Sequence, residues 1–150
     1  MKIINRTGKV FLILFGFLNL TVEETYSQST AQDIYEKNSQ AVVVVETYDK
    51  NGNPLSQGSG CQLNEEGLVV TNFHVMKGAF SASLIFSDNS EFKVNYVYAY
   101  DKQHDLAFLK HYGKRKDHVR LSSSDDVRVG DVCYTIGTPK GFQNTISNGL

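Results

Sequence analysis

The sequence predicts an all-β fold, either a closed antiparallel barrel or a β-sandwich, and three observations lead to this prediction. Between residues 41 and 109, six short segments have the composition or the alternation of strands. Turn-forming residues separate these segments. Helical periodicity is confined to one short stretch before them. Because many short strands with turns between them are typical of barrels and sandwiches, the chain belongs to one of these two classes.

The first 27 residues are predicted to be a secretory signal peptide. Basic residues open the chain, and Val10 to Leu20 forms an apolar run of eleven residues. A transmembrane helix needs roughly 20 apolar residues, so this run is short for a membrane span. Thr25 and Ser27 are small residues spaced like a cleavage site, and we place the cut near Ser27. An uncleaved membrane anchor is the alternative, and in either case we expect the rest of the chain to be exported, to the periplasm or outside the cell.

Residues 28–40 are predicted to form an N-terminal segment with one short helix. Thr30 is a suitable N-cap for a helix that extends to Gln40. Ile34 and Tyr35 fall where they can pack inward. After this helix the composition changes to that of strands.

The first three strands are predicted from composition and from two turns. Ala41 to Tyr48 is rich in β-branched residues, and Asn51-Gly52 is a strong hairpin signal because both residues tolerate positive φ. Gln57 to Leu63 is the predicted return strand. A turn over Asn64 to Gly67 leads into a short apolar strand, Leu68 to Thr71.

The next three strands follow a short segment that is closed by Gly78. Ser81 to Phe86 alternates, and Leu106 to Leu109 is a short apolar run. Between them, Glu91 to Tyr100 alternates most clearly, and we predict one strand with one apolar face. The residues predicted to share that face are Phe92, Val94, Tyr96, Tyr98 and Tyr100.

A second β unit is predicted to begin after a polar linker at residues 111–118. Val127 to Gly130 and Val132 to Gly137 are its first predicted strands, and Thr145 to Leu150 starts another. We therefore divide the chain into a signal peptide (1–27), an N-terminal segment (28–40), a first barrel (41–118) and an incomplete second barrel (119–150). Because a strand needs hydrogen-bonding partners, we expect this second unit to be cut short here.

Composition excludes several classes of function. The 15 basic and 16 acidic residues are interspersed, with a net charge of −1 and no basic stripe, so we expect no nucleic-acid partner. The two cysteines, Cys61 and Cys133, form either a disulfide or two free thiols. His104 and His111 do not have the spacing of a metal site. We expect no metal and no cofactor.

Two residues are candidates for catalysis, His74 and Asp105. His74 follows a short apolar strand, and Asp105 stands 31 residues later at the start of another. In nucleophilic hydrolases, a histidine takes the proton of the nucleophile and a carboxylate orients that histidine. The alternative is a surface histidine and an aspartate that only forms a turn.

Three segments resemble trypsin-like serine proteases of the HtrA (Deg) type. Gly58-Ser59-Gly60-Cys61 and the following LNEEGLVVTNFHVMKGA resemble the segment around that family's catalytic histidine. DKQHDLAFLK is similar to the segment around its catalytic aspartate. LSSSDDVRVGDVCYTIGTPKGFQNTISNGL resembles the crossing into its second barrel. The resemblance covers residues 40 to 150 in the order of the family.

The resemblance implies a chymotrypsin-like fold with two six-stranded barrels and an active site in the cleft between them. It implies that His74 is the general base and Asp105 its orienting carboxylate. It further implies protein or peptide substrates, and it is compatible with an oligomer. Val75 follows His74, so the disulfide found beside this histidine in vertebrate digestive members is absent, in keeping with the bacterial type.

The sequence departs from the family where the nucleophile is concerned. The family's serine lies in a Gly-Asn/Asp-Ser-Gly-Gly segment, and these 150 residues contain none. Ser59, Ser122 to Ser124 and Ser147 do not lie in such a turn, so we assign no nucleophile. The oxyanion-hole N–H groups normally flank that serine. The chain as given is therefore expected to be inactive unless another chain supplies the serine. A PDZ domain, frequent in the family, is not visible either.

Three functions remain as hypotheses. The first is a serine endopeptidase that acts outside the cytoplasm. The second is a non-catalytic binding module with a protease-like barrel. A cysteine protease is a weaker third, because Cys61 and Cys133 both lie in predicted strands. An isolated first unit would expose strand edges, so we predict that residues 28–150 alone are poorly soluble or marginally folded.

Overall fold

The computed structural model describes residues 30–138 and 145–149, so the predicted signal peptide lies outside the described residues. Two short α-helices and nine strands form the secondary structure of the described part. They are α1 (Ala31–Asn38), β1 (Val42–Tyr48), β2 (Pro54–Gln62), β3 (Leu68–Asn72), α2 (Phe73–Met76), β4 (Ser81–Phe86), β5 (Glu91–Lys93), β6 (Tyr96–Asp101), β7 (Leu106–Lys110), β8 (Cys133–Gly137) and β9 (Thr145–Gly149). Within residues 30–138 and 145–149, no helix has the length and apolar character to cross a membrane.

Helix α1 begins where the sequence predicts, at a capping box. The Thr30 hydroxyl accepts a hydrogen bond from the backbone N–H of Asp33 at 3.1 Å, and the Asp33 carboxylate accepts one from the backbone N–H of Thr30 at 2.9 Å. Two backbone donors that a helix start leaves unpaired are thereby satisfied. Ile34 and Tyr35 are half-buried. A short 3₁₀ turn, Ser39–Ala41, leads from α1 into β1.

Strands β1 to β7 form one antiparallel sheet in the order β5-β4-β1-β2-β3-β7-β6. The predicted Asn51-Gly52 hairpin joins β1 and β2, with Gly52 at a φ of 84°. Gly60 on β2 lies so close to the next strand that a Cβ there would be 2.8 Å from the carbonyl oxygen of Val70. The glycines of this strand therefore permit close packing across the sheet.

The sheet closes on itself because its two edge strands follow each other in the chain. Only Val94 and Asn95 separate β5 from β6. The N–H of Val94 donates to the carbonyl of Ala82 on β4, at 2.9 Å, and the N–H of Asn95 donates to the carbonyl of Lys110 on β7, at 2.8 Å. The chain thus joins both edges of the sheet, and β5 with β6 acts as one bent strand of a six-stranded barrel. The predicted all-β antiparallel barrel is confirmed.

The prediction of one uninterrupted strand with one face over Glu91 to Tyr100 is wrong. The chain changes its partner strand from β4 to β7 at Val94–Asn95, and a bulge follows between Val97 and Ala99. Phe92 packs against the core, whereas Tyr96, Tyr98 and Tyr100 are exposed. Because a bulge bends the strand and leaves one residue unpaired, and because the partner strand also changes, the alternation does not define one continuous face.

The barrel interior is filled by branched and aromatic side chains. Val43 and Val45 of β1 are fully buried, as are Leu84 of β4 and Leu109 of β7. This apolar core is what stabilises the barrel, since each such side chain contributes about 1.5 to 3 kcal/mol when buried. The core cluster comprises Val43, Val45, Val69, Val75, Leu84, Phe86, Ala107 and Leu109.

Strands β8 and β9 form a separate antiparallel hairpin. The predicted strand over Val132 to Gly137 is confirmed as β8, and β9 corresponds to the predicted strand from Thr145. The predicted strand over Val127 to Gly130 is wrong. Val127 is 60% exposed, and Gly130 lies in a turn at a φ of 98°. No described strand pairs with this segment, and a strand without a partner is not stable in water.

Candidate active site

A single helical turn after β3 presents His74 at the end of the barrel. Helix α2 begins immediately after Asn72 and is too short to be stable alone. It is anchored by Val75, which is 2% exposed and belongs to the core cluster. With Val75 fixed inward, the neighbouring His74 side chain lies outward and is 68% exposed. As predicted from the sequence, this segment is too short for a full helix.

Asp105 lies in the loop between β6 and β7 and has the unusual φ of 55°. Its carbonyl oxygen accepts hydrogen bonds from the backbone N–H of Phe73, at 3.0 Å, and from the Asn72 side-chain amide, at 3.2 Å. A left-handed backbone is rare for a residue that carries a side chain, and it persists where neighbouring contacts hold it. These two bonds tie Asp105 to the start of α2.

The structure brings His74 and Asp105 into direct contact. Oδ2 of Asp105 lies 2.6 Å from Nδ1 of His74, and Oδ1 accepts the backbone N–H of His74 at 2.8 Å. An ionised carboxylate has no proton to donate, so Nδ1 carries the hydrogen. The tautomer is thereby fixed, and Nε2 is left unprotonated with its lone pair available.

The electrostatics keep Asp105 ionised. The pKa of this carboxyl is lowered, first because the His74 ring donates a hydrogen bond to it and then because the His74 backbone N–H does so. Its side chain is 44% exposed, so solvent screens part of this interaction. Within the part of the chain that the structure describes, no side chain or backbone group hydrogen bonds to Nε2 of His74. The arrangement can accept a proton at Nε2 and stabilise the imidazolium that results.

The serines weighed in the sequence lie elsewhere. Ser59 is on β2, where its hydroxyl contacts Thr138 and accepts the Thr138 backbone N–H at 3.0 Å. Ser123 caps the 3₁₀ turn at Ser124–Asp126. Ser122 and Ser147 are exposed. None of the serines in residues 30–138 and 145–149 hydrogen bonds to the His74 ring, so none is assigned as the nucleophile.

The cysteines and the other histidines do not form a second site. Cys61 and Cys133 are both free, and burial raises the pKa of the Cys61 thiol, which keeps it protonated. His104 and His111 lie at opposite ends of β7. Over residues 30–138 and 145–149, no group of three ligand-type side chains is placed to hold a metal ion.

Sequence reasoning missed a second His–Asp contact beside the first. Nδ1 of His104 lies 2.7 Å from Oδ2 of Asp101, within the same loop as Asp105. Aspartate is common in turns because its carboxylate accepts the backbone N–H two residues further on, so the signal was Asp101 in the polar stretch between two predicted strands. Both residues of this contact lie in the loop that carries Asp105.

Comparison with known proteins identifies the family of the chain. The trypsin-like peptidase domain family matches residues 58–150, which is more than half of the chain. A probable periplasmic serine endoprotease, DegP-like, of Ectopseudomonas mendocina is 38% identical over 95 residues, which cover 63% of this chain and 20% of the relative. Serine protease HTRA1 of Xenopus tropicalis is 32% identical over 131 residues, which cover 83% of this chain and 28% of the relative.

One solved structure is similar to this chain in both fold and sequence. The structure of the HtrA-type protease AlgW with a tripeptide superposes with a TM-score of 0.72 and 30% identity, covering 81% of this chain and 39% of that chain. The present chain spans about a fifth of the length of DegP-like relatives such as that of Ectopseudomonas mendocina. The family match, the sequence relatives and the shared barrel lead to one conclusion: the chain belongs to the trypsin-like peptidase family, and within it to the HtrA type.

Proposed function

We propose that this chain carries the acid–base part of a serine endopeptidase active site, with His74 as the general base and Asp105 as its orienting carboxylate. The observation that carries the proposal is the 2.6 Å contact between Nδ1 of His74 and Oδ2 of Asp105. A carboxylate in this position holds the imidazole in the tautomer whose Nε2 can accept a proton. The exposure of the His74 side chain gives a substrate access to that nitrogen.

In the proposed reaction, a serine hydroxyl attacks the carbonyl carbon of a peptide bond. Nε2 of His74 accepts the hydroxyl proton, and the Asp105 carboxylate stabilises the imidazolium. His74 then donates the proton to the leaving amine, and the acyl-enzyme that remains is hydrolysed by water in the same way. The lowered pKa of Asp105 keeps this carboxylate charged at neutral pH. The nucleophile is not assigned to any serine of this sequence.

The names of the relatives support a substrate class and a location. The DegP-like relatives are named periplasmic endoproteases, and the superposed AlgW structure holds a tripeptide. We propose that this protein likewise acts outside the cytoplasm on protein or peptide substrates. The basic and apolar residues at its N-terminus, predicted to be a signal peptide, agree with export.

The test is His74→Ala, introduced in the protein as its own cells produce it. Hydrolysis of an unfolded protein such as casein should fall at least about a thousandfold, because the general base is lost. His118→Ala is the matched control, since His118 is exposed and its Nδ1 lies within hydrogen-bonding distance of the carbonyl of Lys116, away from the His74–Asp105 pair. Unchanged hydrolysis in the His74 variant would remove His74 as the base.

The intact mass of the protein captured from those cells distinguishes the two main functions. A mass well above that of residues 28–150, together with hydrolysis, supports the endopeptidase, and the serine is then sought in the additional sequence. A mass equal to that of residues 28–150, with no hydrolysis, overturns the proposal and favours a non-catalytic binding module.

A further inference from the structure

The loop that presents Asp105 is closed by a second carboxylate, that of Asp101. Asp101 ends β6 and is paired in register with Leu106, the first residue of β7. Its Oδ1 accepts hydrogen bonds from the backbone N–H groups of Gln103, at 2.9 Å, and of His104, at 3.1 Å. Its Oδ2 lies 2.7 Å from Nδ1 of His104. Asp101 thus fixes the two peptide units that lead into Asp105.

Asp105 depends on both sides of this loop for its position. Its left-handed backbone, at a φ of 55°, is one that a residue with a side chain adopts only when its neighbours hold it. On one side its carbonyl is held by Phe73 and Asn72 of the α2 segment. On the other side the only side-chain oxygen that holds the preceding backbone, within the described part of the chain, is that of Asp101.

We propose that Asp101 is a positioning residue for the His74–Asp105 pair. By fixing the backbone at residues 103 and 104, Asp101 keeps the Asp105 carboxylate within hydrogen-bonding distance of the His74 ring. Its effect on turnover rests on the proposed function, whereas its effect on the His74 ring does not. His104 helps to fix Asp101, because Nδ1 of its ring contacts the second oxygen of the Asp101 carboxylate.

Asp49 provides a matched comparison within the same chain. In the β1–β2 hairpin, Oδ1 of Asp49 accepts the backbone N–H groups of Asn51, at 2.8 Å, and of Asn53, at 2.9 Å. Oδ2 accepts the Asn53 side-chain amide at 3.0 Å. Asp49 and Asp101 thus each make two hydrogen bonds to backbone N–H groups and one to a side-chain nitrogen, but the hairpin closed by Asp49 presents no residue to His74. A substitution at Asp49 measures what the loss of such a turn does to folding alone.

The experiment compares Asp101→Ala with Asp49→Ala in the full protein labelled with ¹⁵N-histidine. The first readout is the pair of ¹⁵N chemical shifts of the His74 ring, recorded by NMR at one fixed alkaline pH, which shows which ring nitrogen carries the proton. In the Asp101 variant the proton should be shared between Nδ1 and Nε2, because a displaced Asp105 carboxylate no longer holds it on Nδ1. The second readout is kcat on a peptide substrate. It should fall about tenfold with little change in KM, because misplacement of a catalytic group slows the chemical step.

The Asp49 variant should change neither readout, even where its melting temperature falls as much as that of the Asp101 variant. Asp101→Asn retains an oxygen for the two backbone N–H groups and should restore most of kcat. Should Asp101→Ala fail to fold, Asp101→Ser takes its place in the same comparison. His74 ring-nitrogen shifts and a kcat that are equal in the Asp101 and Asp49 variants overturn the proposal. Failure of the proposed function would show differently, as no hydrolysis by the unsubstituted protein, and the His74 ring-nitrogen shifts would then decide the role of Asp101.

Discussion

A polar cluster that contains a histidine lies at each end of strand β7. The two clusters differ in the exposure of the histidine and in its hydrogen-bonding partners. Asp105, immediately before β7, contacts His74, whose side chain is 68% exposed. His111, immediately after β7, is fully buried. Its Nε2 contacts the Gln62 side-chain oxygen at 3.2 Å, and its Nδ1 accepts the backbone N–H of Gly113 at 3.1 Å.

The hydrogen-bonding partner of the ring and its access to solvent decide what each histidine can do. A carboxylate on Nδ1 leaves the Nε2 of His74 as an exposed proton acceptor. At the other end, Nδ1 of His111 accepts and Nε2 donates, so both ring nitrogens are used and the ring is neutral. Burial lowers the pKa of His111, with smaller contributions from the charges of Lys110 and Arg115. The exposed His74–Asp105 pair is suited to proton transfer, whereas the buried His111 ring packs in the interior at the other end of the barrel.

The largest effect on folding is expected from Gly67→Ala at the His111 end. Gly67 has a φ of 86°, and a Cβ there would overlap the carbonyl oxygen of His111. Strain and overlap together should reduce the free energy of unfolding by about 3 to 5 kcal/mol. Gly52→Ala is the control, because Gly52 has a φ of 84° with no atom within 4 Å of such a Cβ. Equal losses in urea unfolding of the two variants would show that the close packing at Gly67 has no cost.

A somewhat smaller loss is expected from His111→Ala. The ring packs 4.7 Å from the ring of Phe92, and its removal leaves the buried Gln62 oxygen without this donor. The free energy of unfolding should fall by about 2 to 4 kcal/mol, the range for a buried cavity with an unpaired polar group. Thermal or urea unfolding measures this loss. A change below about 0.5 kcal/mol is typical of surface substitutions and would show that the buried His111 ring does not stabilise the fold.

The buried ring also predicts a pH dependence of stability. Since the pKa of His111 is below its ordinary value of 6.5 in the folded protein, the unfolded chain binds more protons below that pH. The free energy of unfolding is therefore highest above pH 6.5 and decreases as the pH falls, by at most about 1.4 kcal/mol per pH unit. The lowered pKa of Asp105 acts in the same direction, but only around and below its ordinary value of 3.8.

Urea unfolding at a series of pH values between 7 and 5 measures this slope. His111→Gln removes the titrating ring while it retains a polar side chain, so the slope in this range should become flatter. An unchanged slope in the Gln variant would assign the pH dependence to other groups.

The smallest effect on folding is expected from His74→Ala, the variant with the largest expected effect on hydrolysis. Its side chain is mostly exposed, and its backbone N–H to Asp105 is retained in the variant. The free energy of unfolding should change by no more than about 0.5 kcal/mol. A loss comparable to that of His111→Ala would mean that the two ends of β7 do not differ as the structure indicates.

Much of the barrel was predictable because its signals are local. β-branched runs identify β1 and β3, and the Asn51-Gly52 turn needs positive φ at a fixed place, whatever surrounds it. The capping box at Thr30 is likewise complete within four residues, Thr30 to Asp33. His74 and Asp105 could be identified as candidates because they occur in the order, and within the motifs, of the HtrA type.

The type of most elements, the main turns and the identity of the candidate pair are thus encoded in local sequence. Which strands pair depends on contacts between distant residues, and so do three features that no local pattern contains. The strand over Glu91 to Tyr100 breaks because its two halves pair with β4 and β7, which lie on opposite sides of the sheet. Val127 to Gly130 is no strand because no described strand pairs with it. The His74–Asp105 contact spans 31 residues and forms only when β3 and β7 lie side by side, because alternation encodes which face is buried but not which strand is the neighbour.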